Sequence, residues 1–127
     1  MARSQKIPTL SIVIPTLNEA LHLPLLLSDL NVWPNEFELI LVDGGSIDLT
    51  ISIAQIQGVD VIKSPKKNRG YQLKTGASNA RGDWLLFLHA DSRLRIGWVR
   101  SLSQIIQNKK SKNFAWYFDF KIKKDNL

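Results

Sequence analysis

A chain of 127 residues suits one compact domain, because a domain of this size removes roughly two-thirds of its unfolded surface from water. Its 44% hydrophobic and 22% charged residues lie in the ordinary soluble range and imply a globular protein, and the lack of repeats or low-complexity tracts excludes a solenoid. The absence of cysteine excludes a disulfide framework, a thiolate metal site and a thiol nucleophile, while the formal charge of +6 calls for an anionic partner or a role in solubility.

Residues 1–6 are polar and lead directly into an apolar pattern, with no signal-peptide core or small-residue cleavage site. No apolar run approaches the roughly 20 residues that span a bilayer. The expectation is therefore cytoplasmic residence, with peripheral membrane contact left open. Residues 9–14 (TLSIVI) form a β-branched run that predicts a buried strand closed by Pro15. A loop over residues 16–23 leads to a first helix over residues 24–30, begun at Pro24, where a missing amide donor costs nothing. Residues 37–42 (FELILV) predict a second strand ending at Asp43-Gly44-Gly45, and residues 48–56 a second helix. Residues 59–62 read as a short third strand stopped by Ser64-Pro65, and residues 70–80 as a third helix. Residues 84–88 (WLLFL) make a fourth strand that delivers His89, Ala90 and Asp91, and residues 95–107 a fourth helix. Residues 114–121 suit a fifth strand, after which the chain stops at Leu127. Strands alternating with helices imply an α/β fold, a mainly parallel open sheet covered on both faces. In such sheets ligands bind beyond the carboxyl ends of the strands.

The polar signatures all follow strands. In Pro15-Thr16-Leu17-Asn18-Glu19, Thr16 and Glu19 have the spacing of a capping box, and equally suit a hydroxyl and a carboxylate offered to a base or ribose. In the segment after the second strand, Gly44 and Gly45 permit a tight turn and close backbone approach to a ligand. Ser46 and Asp48 are explained by capping and by the helix dipole. Asp43, the last strand residue, is expected to aim at the crevice, where a carboxylate accepts hydrogen bonds from an imide N–H or a ribose hydroxyl. Lys63, Lys66, Lys67, Arg69 and Lys74 surround a helix start, an arrangement suited to a diphosphate, with Arg69 as the phosphate candidate. Gly76, Ala77 and Ala80 share a helical face and read as a close helix-to-sheet contact, whereas Gln72 is ambiguous. Asp91 suits an oxygen-preferring cation, Mg2+ or Mn2+, completed by substrate phosphates and water, or else a cap for the following segment. A second basic cluster, Lys109, Lys110 and Lys112 followed by Lys121, Lys123 and Lys124, suits either a solvated face or anionic lipid.

Taken in order, the segments SIVIPTLNE (from Ser11), VDGGS (from Val42), RGYQ (from Arg69) and ARGDWLLFLHADS (from Ala80) resemble the family 2 glycosyltransferases. The resemblance covers nearly the whole chain but about the N-terminal half of the family domain. It implies a GT-A fold for residues 1–127, a nucleotide-diphosphate sugar donor and a divalent cation, Mn2+ or Mg2+. Position by position, Pro15, Thr16 and Glu19 match the first nucleotide-pocket loop, Asp43 with Gly44 the base-recognising segment, and Arg69 the basic segment near the diphosphate. Asp91 matches the last acidic residue of the Asp-x-Asp metal motif, and His89 replaces the first. The implied chemistry is inverting transfer to an acceptor hydroxyl, lipid or saccharide. The family's general base lies in a later acidic motif with no match before Leu127, and Asp119 matches only a strand position ahead of it.

Two other classes compete. A noncatalytic nucleotide-sugar-binding fragment or degenerate remnant would share the donor motifs without the base. Nucleic acid is not an expected partner, because the cations are not interleaved with an aromatic platform and no recognition motif is present. A dehydrogenase-type dinucleotide fold is disfavoured because Pro-Thr-Leu-Asn-Glu, not Gly-x-Gly-x-x-Gly, follows the first strand.

Overall fold

The computed structural model describes residues 9–117. Four strands, β1 (Leu10–Thr16), β2 (Phe37–Asp43), β3 (Asp60–Lys63) and β4 (Trp84–Phe87), form one parallel sheet in the order β3-β2-β1-β4. Helices α1 (Leu23–Leu30), α2 (Thr50–Ile56), α3 (Arg69–Asn79) and α4 (Trp98–Gln107) alternate with them, and a short 3-10 helix, Lys109–Asn113, follows. The α/β class expected from the sequence is the class observed.

The alternation of side chains along β1 separates two cores. Leu10, Ile12 and Ile14 point to one face and pack with Leu23, Leu26, Leu27 and Leu30 of α1, Ala54 of α2, and Trp98, Leu102 and Ile106 of α4. The α1 leucines recur at i, i+3, i+4 and i+7, so one stripe of an eight-residue helix is buried. A helix that short is marginal alone, and each leucine taken out of water contributes about 1.5–3 kcal/mol, so its tertiary face holds it. Trp33, just past α1, stacks on Trp98 with ring centroids 5.5 Å apart. On the other face, Val13, Ile40 and Val42 pack with Ile62, Leu73 and Ala80. Here α3 lies directly on the sheet at Gly76, where a Cβ would come within 2.2 Å of Val13 Cγ1. The expected close contact is present.

Several boundaries differ from the sequence reading, each for a local reason. Strand β1 continues through Pro15 to Thr16, paired with Val42 and Asp43 of β2. Pro15 is tolerated because its nitrogen faces the β4 side, where the β1–β4 pairing already ends at Val13 and Phe87. Helix α2 begins at Thr50 instead of Asp48, whose Oδ1 accepts from the Thr50 backbone N–H at 3.0 Å and from the Thr50 hydroxyl. Helix α4 begins at Trp98, after Gly97 at φ 96°, instead of at residue 95. Helix α3 begins one residue early because Asn68 caps it, accepting from the Tyr71 N–H at 2.9 Å. Phe114 to Tyr117 are not strand, and the remainder of the expected fifth strand, with Asp119 and Lys121, Lys123 and Lys124, lies outside the described residues. Among the described residues, no helix is long and apolar enough to cross a membrane.

Candidate functional site

Because all four strands are parallel, their carboxyl ends share one edge: Lys63 of β3, Asp43 of β2, Thr16 of β1, then the segment after Phe87 of β4. The chain moves outward from β1 to β2 and β3, then returns to the far side of β1 for β4. The order therefore reverses between β1 and β4, where the following loops diverge into a crevice. Two cavities, about 270 and 410 Å³, open instead around the amino ends of the strands, at Phe37 and Asp60 and at Leu10 and Gly82. Neither adjoins this edge.

The loops after β1 and β2 are stitched into one unit. The Asn18 backbone N–H donates to Ser46 Oγ at 2.8 Å, and Asn18 Oδ1 accepts from the Ile47 N–H at 2.8 Å. The Glu19 and Ala20 amides donate to Thr50 Oγ1 and Asp48 Oδ2 at 2.8 and 3.1 Å. Asn18 takes the left-handed conformation, φ 54°, that its short polar side chain tolerates. The capping box suggested for Thr16 and Glu19 does not form. The Thr16 hydroxyl donates to Asp43 Oδ1 at 2.8 Å, while the Glu19 carbonyl accepts from the Leu23 N–H and its carboxylate lies 3.5 Å from His22 Nδ1. Pro15 is buried in the strand directly below, and Glu19 is half-buried.

Asp43 sits at the centre of this unit, 1% exposed. Its Oδ1 accepts from Thr16 Oγ1 and Ser46 Oγ, at 2.8 and 2.6 Å, and its Oδ2 from the Gly45 and Ser46 amides, at 3.0 and 2.7 Å. All four lone-pair positions of the carboxylate are thereby engaged. Burial opposes ionisation, but the donors from Ser46, Thr16 and Gly45 outweigh it and hold the carboxyl below the ordinary Asp range. The expectation of a side chain aimed at the crevice is corrected: Asp43 turns into its own loop because a buried charge requires donors, and Gly45 and Ser46 supply them. Ser46 is likewise drawn to Asp43 instead of capping α2.

Gln72 is placed more definitely than its sequence suggested. Only 5% exposed, it reaches from α3 under both loops, its Nε2 donating to the carbonyls of Thr16 and Val42 at 3.0 and 2.9 Å. Gly44 admits it: a Cβ there would lie 3.1–3.3 Å from the amide atoms of Gln72. The Gly44 N–H also donates to the Thr16 carbonyl, at 2.9 Å.

Beside this unit lies the basic segment. Lys63, Lys66, Lys67, Arg69 and Lys74 are exposed, and none has an acidic partner within ion-pair distance among the described residues. Lys67 Cε would lie 3.9 Å from a Cβ at Gly45, so this lysine runs beside the Asp43 loop, while Lys66 Nζ stands 5.2 Å over the Tyr71 ring. Arg69 opens α3, one turn before Gln72.

Across the crevice, His89 to Ser92 form a turn, with the Ser92 N–H donating to the His89 carbonyl at 3.0 Å. Asp91 is exposed, and no hydrogen bond or ion pair engages its carboxylate. The loop beyond is clamped by Asp29 of α1, which accepts from Arg93 Nε and Nη2 at 2.8 and 3.1 Å and from the Leu94 N–H at 2.9 Å. Arg93's hydrogen bonds hold the Asp29 carboxyl below its ordinary range despite partial burial. Nothing in the sequence marks Asp29, since an Asp on the polar side of an amphipathic helix is ordinary. Asn68 was missed as well, although an Asn just ahead of a helical stretch is itself an N-cap signal. Among the described residues, no cluster of three or more His, Cys, Asp or Glu is placed to hold a metal ion. A cation at Asp91 would need phosphate and water oxygens for most of its shell, which suits magnesium or manganese but not a protein-caged metal.

An open parallel sheet whose carboxyl edge joins two interlocked loops, a basic helix start and a free carboxylate defines a GT-A-type α/β domain. Residues 11–124 match the family model described as glycosyl transferase family 2, and the chain belongs to that family. A PGL/p-HBAD biosynthesis glycosyltransferase of Mycobacterium bovis (strain BCG / Pasteur 1173P2) is 43% identical over 94 residues, which cover 68% of this chain and 37% of that protein. The matched stretch thus spans between 28% and 38% of the length of such curated relatives. Two solved structures share the fold. The S. aureus TarS fragment 1-349 in complex with UDP has TM-score 0.68 and 22% identity, over 77% of this chain and 32% of that one. The mannosyltransferase PcManGT from Pyrobaculum calidifontis, in complex with GDP-Man and Mn2+, has TM-score 0.71 and 18% identity, over 80% and 32%.

Proposed function

We propose that residues 1–127 form the donor-binding unit of a glycosyltransferase that binds a nucleotide-diphosphate sugar with Mn2+ or Mg2+ for inverting transfer to an acceptor hydroxyl. The observation that carries this reading is the pairing, at one sheet edge, of basic residues lacking acidic partners with an unengaged Asp91, the two flanking the interlocked loops. The nucleotides and Mn2+ named in the structural neighbours support it.

In this reading Pro15, Thr16, Glu19, Asp43 and Gly44 shape the nucleoside pocket. Asp43 acts first through its loop, because accepting from a base or ribose requires one of its present donors to turn away. Arg69, with Lys67 beside it, receives the diphosphate through charge-assisted hydrogen bonds. Asp91 holds the cation, with His89 beside it. A bound divalent cation neutralises charge on the departing diphosphate. The acceptor is a hydroxyl of a lipid or saccharide, and no described residue is assigned as the base that deprotonates it.

Calorimetric titration of the chain with UDP and GDP, with and without Mn2+, tests the reading. Binding should strengthen with Mn2+, and Asp91→Ala should remove that strengthening while leaving metal-free binding intact. Absence of binding to any nucleoside diphosphate would sink the proposal. A noncatalytic binding role is the second reading, favoured by His89 standing where the family resemblance places the first acidic residue of the metal motif. Donor turnover with an acceptor, lost in Asp91→Ala, decides for the enzyme; binding without turnover decides for the binder.

A further inference from the structure

The donor-site reading separates the nucleoside loops from the diphosphate helix, and one buried side chain joins them. We propose that Gln72 is a positioning residue that fixes the basic start of α3 against the nucleoside loops, so that one ligand can engage both. The inference rests on the donor-site reading and goes beyond it in assigning the coupling to a residue outside the pocket.

The geometry is specific to a primary amide. Nε2 carries two hydrogens, and both are used, toward Thr16 O at 3.0 Å on β1 and Val42 O at 2.9 Å on β2. These carbonyls belong to strands whose next residues begin the two loops, so the amide spans adjacent strand ends at the point where their pairing stops. Thr16 O also receives the Gly44 N–H at 2.9 Å, which joins the turn after Asp43 to the same acceptor. Gly44 itself is the counterpart of Gln72: the 3.1–3.3 Å separation from a Cβ leaves no room for a larger residue unless the amide shifts.

The helical end of the linkage is equally fixed. The Gln72 backbone N–H donates to the Asn68 carbonyl at 2.8 Å, in the first turn that carries Arg69 and Gly70. A rotation of this turn would carry Arg69 with it, and the buried amide opposes that rotation through two hydrogen bonds. The arrangement does not depend on contact between Gln72 and ligand. Its effect should appear as cooperation between the two halves of a nucleotide, since preorganisation lowers the cost of ordering both.

Gln72→Met keeps side-chain length and apolar volume but removes both donors. In the ligand-free chain, hydrogen exchange at Gly44 and Ser46 should quicken, while far-UV circular dichroism stays unchanged. By NMR titration with Mn2+ present, affinity for UDP or GDP should fall about tenfold, the order expected when hydrogen bonds to two buried carbonyls are lost. Affinities for uridine or guanosine, and for pyrophosphate, should change less than the nucleotide's. Gly44→Ala should give the same pattern by displacing the amide, and the double variant should be no worse than the poorer single one. Equal losses for nucleoside, pyrophosphate and nucleotide would overturn the positioning role, as would unchanged nucleotide affinity in either variant. A wild-type chain that binds neither UDP nor GDP would overturn the donor-site reading and this inference together, an outcome distinct from those seen only in the variants.

Discussion

Asp43 accepts from two hydroxyls and two backbone amides, so its replacement by Asn, which puts an NH2 donor in place of an acceptor, should leave buried donors facing one another. The expected cost is about 2–3 kcal/mol, measured by urea unfolding at pH 7. The same carboxylate predicts a pH dependence. Asp43, Asp29 and Glu38 are each held below their ordinary values when folded, Asp43 by donors that overcome burial, Asp29 by Arg93, and Glu38 first by the Arg81 N–H. Depressed carboxyls give stability that is complete above the unfolded values, about 4, and is lost as pH falls through the folded ones. Unfolding free energy should therefore decline below about pH 4, and Asp43→Asn should flatten that decline. At this scale the sequence identified Asp43 as special but misjudged its direction. A strand-end carboxylate followed by Gly-Gly-Ser is compatible with facing ligand or with collecting its own loop's donors, and only the fold decides. Gln72 was harder, because its acceptors lie 56 and 30 positions away.

Each of the four observed strands was legible as an element because its apolar run is bounded by turn residues, and α1 because Pro24 marks its first turn, whereas the expected fifth strand is not formed at Phe114 to Tyr117. What escaped were termini governed by side chains: α2 gives way to the Asp48–Thr50 turn, and α3 is drawn back to Asn68. The α3 contact at Gly76 was readable because small residues recur on one face. Gly76→Ala should overpack this contact against Val13 and Val42, costing about 1–3 kcal/mol in denaturant unfolding. Because Gln72 lies one turn away on the same helix, this variant should also weaken nucleotide binding. Ala77→Ser, at a less buried neighbour, should be close to neutral by both measurements.

Over the whole molecule, the +6 charge was the least specific signal in the sequence, and location gives it meaning. If the basic segment beside α3 meets a diphosphate, affinity for UDP with Mn2+ should weaken between 50 and 500 mM salt, since about 0.1 M already screens charges beyond roughly 10 Å. Lys67→Ala with Arg69→Ala should cost far more affinity than Lys110→Ala with Lys112→Ala, although each pair removes the same charge. Equal losses in a calorimetric comparison would show that net charge, and not the site, attracts the nucleotide. The sheet order was legible only as a class. Which strands adjoin, and hence which loops meet, depends on contacts between distant segments that local periodicity does not encode.

Pro15 gives the crevice a chemical origin. Along the β1–β4 seam, the Leu88 N–H donates to the Val13 carbonyl at 3.1 Å, and the next amide on β1 facing β4 would belong to residue 15 and reach toward Leu88 O. An imino acid has no hydrogen to give, so the seam is unzipped at that rung and His89, Ala90 and Asp91 are released from the ladder. Restoring the missing hydrogen with Pro15→Ala should let the seam advance by a rung, slowing hydrogen exchange at Ala90 and drawing the Asp91 turn toward β1. The open cleft would then owe its width to one absent proton near the carboxyl end of the first strand.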